Sequence, residues 1–129
     1  MNARIHNIIS IPVSLEGNFF RYWIEFLEPF HHMKSREKDV AAALLRERYL
    51  LGKVISDDAV LDKITLSLDT KKKIMEEYKL SSSNFHVVLT KLRKANFIKD
   101  NRINKKFIPN DINEEDSSYR LLLNFAFTK

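Results

Sequence analysis

The segment that decides the fold runs from Leu80 to Asn101 and reads LSSSNFHVVLTKLRKANFIKDN. Its apolar residues recur at the i, i+3, i+4, i+7 spacing of one helix face, at Phe85, Val88, Leu89 and Leu92. Either Ser81 or Ser82 is suited to cap the start of that helix, because a serine oxygen accepts a free backbone N–H. The segment therefore predicts a helix whose inner face is apolar and whose outer face is polar and basic.

The residues after this helix predict a β-hairpin. Phe97-Ile98 is strand-like, and Asp100-Asn101 tolerates the positive φ that a tight hairpin turn requires. A second strand is expected from Ile103 to Ile108, where Pro109 stops it. We expect this hairpin to be the first part of a wing that spans about residues 97–127.

A shorter helix is predicted just before the deciding segment. Asp69 is a possible cap for a helix over Thr70–Tyr78, whose inward residues are Ile74, Met75 and Tyr78. The turn 79–81 separates the two helices. Two helices joined by a three-residue turn, the second longer and basic, form the helix-turn-helix pattern. It covers about residues 69–96.

The C-terminal part adds an acidic loop and a further strand. Residues 110–118 contain four acids and predict a mobile loop. Tyr119–Phe127 is the strongest strand signal in the chain, and we expect it to return beside the hairpin.

The N-terminal part predicts an arm and three helices. Residues 1–17 are β-branched and broken by Pro12, so an extended arm is expected there, followed by one domain over 18–129. Helices are expected from Asn18 to about Glu28, from Ser35 to Gly52, and after Asp57-Asp58. The first of them is rich in aromatic residues, which are typical of either a core or a subunit interface. The predicted interface residues are Phe19, Phe20, Trp23 and Phe26.

The charge of the chain is concentrated in one segment. The whole chain has a formal net charge of +5, but residues 71–106 contain eleven basic residues and three acids, a net +8. The remainder is therefore net acidic. Such asymmetry is typical of a surface for a polyanion, and it is equally compatible with a solvated basic surface.

Composition argues against several classes of function. The chain has no cysteine, which excludes disulfides, thiolate zinc sites and a cysteine nucleophile. Two isolated glycines, Gly17 and Gly52, cannot build a phosphate-cradling loop. His31-His32 lacks a third metal ligand, and no catalytic motif is present. We therefore expect no enzyme activity, no metal, no cofactor and no small-molecule substrate. No window is apolar enough for a membrane span, so a cytoplasmic protein without membrane contact is expected.

The order of three helices, a helix-turn-helix and a hairpin resembles the winged-helix family. In that family a small polar cap starts the recognition helix, a Leu-Arg-Lys-like end leaves it, and an aromatic-aliphatic pair begins the wing. The matching stretches here are Ser81–Asn84, Leu92–Lys94 and Phe97-Ile98. The resemblance covers about Phe19–Phe127. It implies a mainly α fold with a small β-sheet, an extended N-terminal arm and a C-terminal β-wing.

The resemblance implies duplex DNA as the partner, read with modest sequence preference. The recognition helix would enter the major groove, with Ser83, Asn84, His86, Val87 and Thr90 near base edges. Phosphate contacts would come from basic residues of the two helices and the wing. These are Lys71, Lys72, Lys73, Lys91, Arg93, Lys94, Lys99, Arg102, Lys105 and Lys106.

A second resemblance leaves an alternative open. The stretches Met33–Val40 and Ile103–Pro109 are similar to small winged-helix proteins of tailed bacteriophages, some of which bind DNA while others are virion subunits. The alternative is therefore a structural or assembly subunit, such as a connector or ring component, in a homo-oligomer or with other virion proteins. The strand-like ends, Ile5–Val13 and Tyr119–Phe127, would then add to sheets of neighbours. A phage-encoded protein would reside in the host cytoplasm or the virion.

Overall fold

A computed structural model describes residues 8–129 of the chain. This part is mainly helical with a small antiparallel sheet of two strands, as the sequence predicted in outline. The helices are α1 (Phe19–Phe26), α2 (Glu28–His31), α3 (Ser35–Gly52), α4 (Asp58–Thr65), α5 (Leu68–Glu77) and α6 (Ser82–Lys94). The strands are β1 (Ile98–Lys99) and β2 (Arg102–Ile103), followed by a 3-10 turn at Lys105–Phe107. Among the described residues, none of the helices combines the length and the apolarity needed to cross a bilayer.

The longest helix, α3, lies at the centre of the core. It contacts α1, α4, α5 and α6. Its residues Val40–Leu45 are all buried, and three of them are alanines, whose small side chains let neighbouring helices approach closely. Burial of this apolar surface supplies most of the stability of such a fold. The other elements are therefore positioned by their contacts with α3.

The helix pair α5 and α6 forms where the sequence predicted it. Ser81 caps α6, since its Oγ accepts the Asn84 N–H at 3.1 Å. Lys79, in the connecting turn, has a φ of 53°, a conformation that a non-glycine residue adopts rarely. The four predicted inward residues of α6 are all buried. One boundary differs, because Ser67 rather than Asp69 caps α5 and the helix begins at Leu68.

The hairpin has the predicted turn. Asp100 and Asn101 have φ values of 55° and 58°, the two positive values that a type I′ turn requires. The register pairs Ile98 with Ile103 and Lys99 with Arg102. The two isoleucines are buried and the two cations are exposed, so one side of the hairpin packs against the core.

The predicted strand from Ile103 to Ile108 is wrong beyond its first residue. The chain turns at Asn104, whose Oδ1 accepts the Lys106 N–H at 3.1 Å while its Nδ2 donates to the Asn96 carbonyl at 2.9 Å. This turn buries Phe107 against Phe97, with ring centres 5.8 Å apart. In an extended strand, consecutive residues point to opposite faces of the sheet, so a continuous strand from Ile103 to Ile108 would not form the turn at Asn104.

The predicted strand over Tyr119–Phe127 is also wrong in the described structure. This segment contains no helix or strand and is largely exposed. An extended segment becomes a strand only where another strand supplies backbone partners. Tyr119 instead packs on α1, with its ring centre 5.6 Å from that of Phe19 and its hydroxyl donating to the Asn110 carbonyl. The predicted wing is therefore limited to the hairpin.

The N-terminal elements follow the prediction in part. The helix expected to reach Glu28 is interrupted at Leu27, and Pro29 lies in the first turn of α2, where its missing N–H costs nothing. Of the predicted arm, the first seven residues lie outside the described part. Residues 8–14 have no helix or strand.

Candidate nucleic-acid interface

The outer side of α6 is open to solvent. Apart from the four inward residues, only Thr90 is partly buried, and its hydroxyl donates to the His86 carbonyl at 3.0 Å. At 100° per residue, the direction opposite the buried face is occupied by Ser83, Val87, Thr90 and Lys94. Val87 is 53% exposed at the centre of this face. We define the α6–hairpin surface as the outward residues of α6 together with Lys99, Arg102, Lys105 and Lys106.

Four of the five predicted base-contacting residues lie in the first two turns of that surface, and the fifth, Thr90, lies in the third turn. Ser83, Asn84 and His86 are exposed, as is Val87. Asn84 and His86 flank the outward centre on opposite sides. The N-terminal half of α6 therefore exposes no Lys or Arg, while Lys91, Arg93 and Lys94 are confined to the last turn.

None of the cations on the α6–hairpin surface forms an ion pair within residues 8–129. They are Lys91, Arg93, Lys94, Lys99, Arg102, Lys105 and Lys106. The three at the end of α6 are stabilised by the helix dipole without any partner. The hairpin pair Lys99 and Arg102 is different, because the two residues lie directly opposite each other and like charges at such positions destabilise a sheet.

Several cations elsewhere in residues 8–129 are paired with acids. On α3, Arg46 donates to both oxygens of Glu77, Arg48 lies 3.1 Å from Asp62, and Lys38 contacts Glu25 and Glu28. The hydrogen bonds to Glu77 raise the pKa of Arg46 and lower that of Glu77. These pairs connect α3 to α5, α4 and the α1–α2 region.

The three lysines at the start of α5 do not behave alike. Lys73 lies 2.7 Å from the buried carboxylate of Glu47 on α3, so its charge is already neutralised in the fold. Lys71 and Lys72 have no ion pair among the described residues. Because α5 begins at Leu68, Lys71 ends its first turn, where a cation opposes the dipole, and Lys72 lies in the second turn. Lys71 and Lys72 thus remain candidates for an anionic partner, and Lys73 is mainly a link between α5 and α3.

In residues 8–129, no acid of the loop 110–118 pairs with a cation of the α6–hairpin surface. Glu114 lies 2.6 Å from Lys53 near the end of α3, and this contact lowers the pKa of Glu114. Tyr119, just after the loop, packs on Phe19 and Trp23 of α1. The loop therefore does not neutralise the hairpin lysines in residues 8–129.

The four aromatic residues predicted as an interface are divided by the fold. Phe19 and Phe20 are 8% and 2% exposed and belong to the core of this chain, so they are not available to a neighbour. Trp23 is partly buried and its indole N–H donates to the Phe107 carbonyl at 2.8 Å. Only Phe26, 46% exposed and stacked on Tyr22, remains on the surface. The reason is that α1 packs on α3 and Tyr119 covers its outer side.

The first histidine of the pair 31–32 has a structural role. His31 is buried, with Nε2 2.8 Å from the Ile24 carbonyl and Nδ1 accepting the Met33 N–H at 2.9 Å. The imidazole is therefore neutral with the proton on Nε2, and burial lowers its pKa. Within residues 8–129 no group of three or more His, Cys, Asp or Glu side chains could hold a metal ion.

A cleft beside α6 contains a cation that the sequence analysis missed. It is bordered by Lys63, Leu66, Lys71, Leu89, Arg93, Ile98 and Asn101. Lys63 lies in the last turn of α4, outside the basic segment, so its charge was counted with the acidic remainder of the chain. Its position just ahead of the predicted helix-turn-helix was the only signal that could have identified it.

In comparisons with known proteins, no family model, no curated protein and no solved structure matches this chain.

Proposed function

We propose that this chain is a winged-helix protein that binds duplex DNA through the α6–hairpin surface. The observation that supports this most is that several cations lie at energetically unfavourable positions and have no acidic partner in residues 8–129. Lys99 faces Arg102 across the hairpin, and Lys71 lies in the first turn of α5, at the positive end of its dipole. A line of phosphates would offset both costs, because it supplies the negative charge that the chain itself does not.

The proposed roles follow from position along α6. The N-terminal half, which has no Lys or Arg, would face base edges in the major groove, where Asn84 is able to pair with adenine through two hydrogen bonds. Val87 offers an apolar contact, which suits a thymine methyl group. Lys91, Arg93 and Lys94 would contact phosphates, and Lys99 and Arg102 would reach the adjacent backbone. Since few residues specify and most contact phosphates, sequence preference is expected to be modest.

The experiment is a fluorescence-anisotropy titration with a random duplex of about 20 base pairs. About six phosphate contacts predict a loss of roughly three decades in affinity between ~50 and ~200 mM salt. The variant Lys91→Glu/Arg93→Glu/Lys94→Glu is expected to lose measurable binding. A matched variant, Lys34→Glu/Arg120→Glu/Lys129→Glu, changes the net charge equally outside the proposed surface and is expected to retain most of it. Equal loss in both variants would contradict a localised interface.

A second function, as a subunit of an assembly, is favoured by the exposed C-terminal segment. Leu122, Phe125 and Phe127 are 83%, 84% and 93% exposed. Soluble monomers rarely expose this much apolar surface in one segment, and such surface is typical of an interaction site. An extended apolar segment of this kind is suited to add a strand to a neighbour's sheet.

Light scattering separates the two functions. A ring-sized species that is lost in Phe125→Ser/Phe127→Ser, without duplex binding by the wild type, would support assembly. A monomer that binds the duplex, with the same double variant unaffected, would support the DNA-binding function.

A further inference from the structure

The cleft beside α6 brings together cations from three helices. Lys63 comes from α4, Lys71 from α5 and Arg93 from α6, and Asn101 of the hairpin turn also borders the cleft. No carboxylate borders the cleft, and none of the three cations has an ion pair in residues 8–129. Three like charges that converge on one space repel each other unless an anion lies between them.

The floor of the cleft is apolar. It is formed by Leu66, Leu89 and Ile98, of which the last two belong to the core. A charge above such a floor is less well screened by water than one on an open surface, so its attraction for an anion is stronger. An apolar floor below a ring of cations fits a phosphate that carries a carbon-rich substituent.

The size of the cleft limits what it holds. Its volume is about 270 Å³, just below the range of roughly 300–1,000 Å³ for small-molecule sites. That is enough for a phosphate with its sugar, and too little for a larger cofactor.

The position of the cleft relative to the outward face of α6 is also informative. Arg93 is about a quarter turn around the helix from the line of Ser83, Val87 and Lys94. A helix in the major groove is flanked by the sugar-phosphate backbones at about this angle. We propose that the cleft is a phosphate-binding site and, resting on the proposed function, that it holds one backbone phosphate of the duplex with its deoxyribose on the apolar floor.

The test uses two variants of residues that border the cleft. Lys63→Gln is expected to lower the slope of log affinity against log salt by about 0.9 and to weaken duplex binding several-fold. Lys129→Gln, with the same change in net charge at the chain end, is expected to leave both unchanged. Asn101→Asp keeps a residue type that tolerates the positive φ of the turn and adds a negative charge at the cleft, so a larger loss is expected. Asn124→Asp in the exposed tail is its control.

A titration of the ¹⁵N-labelled full chain with inorganic phosphate distinguishes this inference from the proposed function. Amide shifts confined to Leu66, Lys71 and Asn101, and absent in Lys63→Gln, would support the site. Wild-type duplex binding that both cleft variants retain would overturn it and leave the proposed function intact. If the wild type binds no duplex but the phosphate shifts occur, the site stands with a free phosphate compound as its source. The absence of both would overturn both.

Discussion

The cations on α3 and those on the α6–hairpin surface differ in whether they form ion pairs. On α3, three of the four cations, Lys38, Arg46 and Arg48, contact carboxylates of neighbouring elements, and the fourth, Arg36, lies over the ring of Tyr78. On the α6–hairpin surface, seven cations have no such contact in residues 8–129. Both sides are rich in Lys and Arg, so composition alone does not distinguish them.

The difference shows how charge is divided between folding and binding. An ion pair that connects two helices stabilises the fold and leaves little potential outside it. An unpaired cation contributes little to stability, or lowers it, but adds to the field that attracts a polyanion. Changes on the α3 side should therefore alter stability, and changes on the α6 side should alter binding.

The largest expected effect on stability is at Arg46. Arg46→Ala removes both hydrogen bonds to Glu77 and one contact with the buried Glu47, so the free energy of unfolding should fall by about 2 kcal/mol. Urea denaturation measures this. Duplex affinity of the folded variant should stay within about twofold.

The matched control is Lys94→Ala on the outward face of α6. Its free energy of unfolding should change by less than about 0.5 kcal/mol, while its duplex affinity should fall about tenfold near 0.1 M salt. The comparison fails if Lys94→Ala destabilises the protein as much as Arg46→Ala does.

The next effect separates stability from binding at a single residue. Arg102→Glu places an acid directly opposite Lys99, so the hairpin should gain about 0.5 kcal/mol by thermal or urea unfolding. The same variant should bind the duplex more than tenfold more weakly, since one phosphate contact becomes a repulsion. A decrease in both quantities would indicate that the two cations do not oppose each other in the fold.

The sequence predicted local features well because they depend on near neighbours. The Asp100-Asn101 turn, the Ser81 cap and the inward face of α6 each follow from spacing within a few residues. The ion pairs did not follow, because Glu77 lies 31 residues from Arg46 and Glu47 lies 26 from Lys73. No periodicity encodes such separations.

The wrong strands have a similar cause. Ile103–Ile108 and Tyr119–Phe127 have high β propensity, but a strand also needs a partner strand, and propensity contains no information about that. Asn104 and Tyr119 redirect the backbone through contacts with Asn96 and α1. The cleft was missed for the same reason, since Lys63, Lys71 and Arg93 meet only in three dimensions.

The smallest effect is a pH dependence at His31, whose buried ring lies with its centre 6.1 Å from that of Phe107. Burial lowers the pKa of His31 below its ordinary value of 6.5, so the folded state favours the neutral imidazole. Its contribution to stability is fully present above pH 6.5 and declines as the pH falls toward the lowered pKa. Unfolding measured at about pH 7.5 and 5.5 should show this decline, and His31→Gln should reduce it.

The control is the neighbouring histidine, which is exposed and has a φ of 54°. His32→Asn suits that conformation and should leave the pH dependence as in the wild type. A decline that His32→Asn removes and His31→Gln retains would contradict the assignment to the buried ring.

The most direct measurement of the central claim is a map of amide chemical shifts on binding of the random duplex. The account predicts the largest changes at Ser83, Val87, Lys94 and Asn101, with α3 unaffected. Changes concentrated on the ion-paired side of α3 or on the tail after Tyr119 would contradict it.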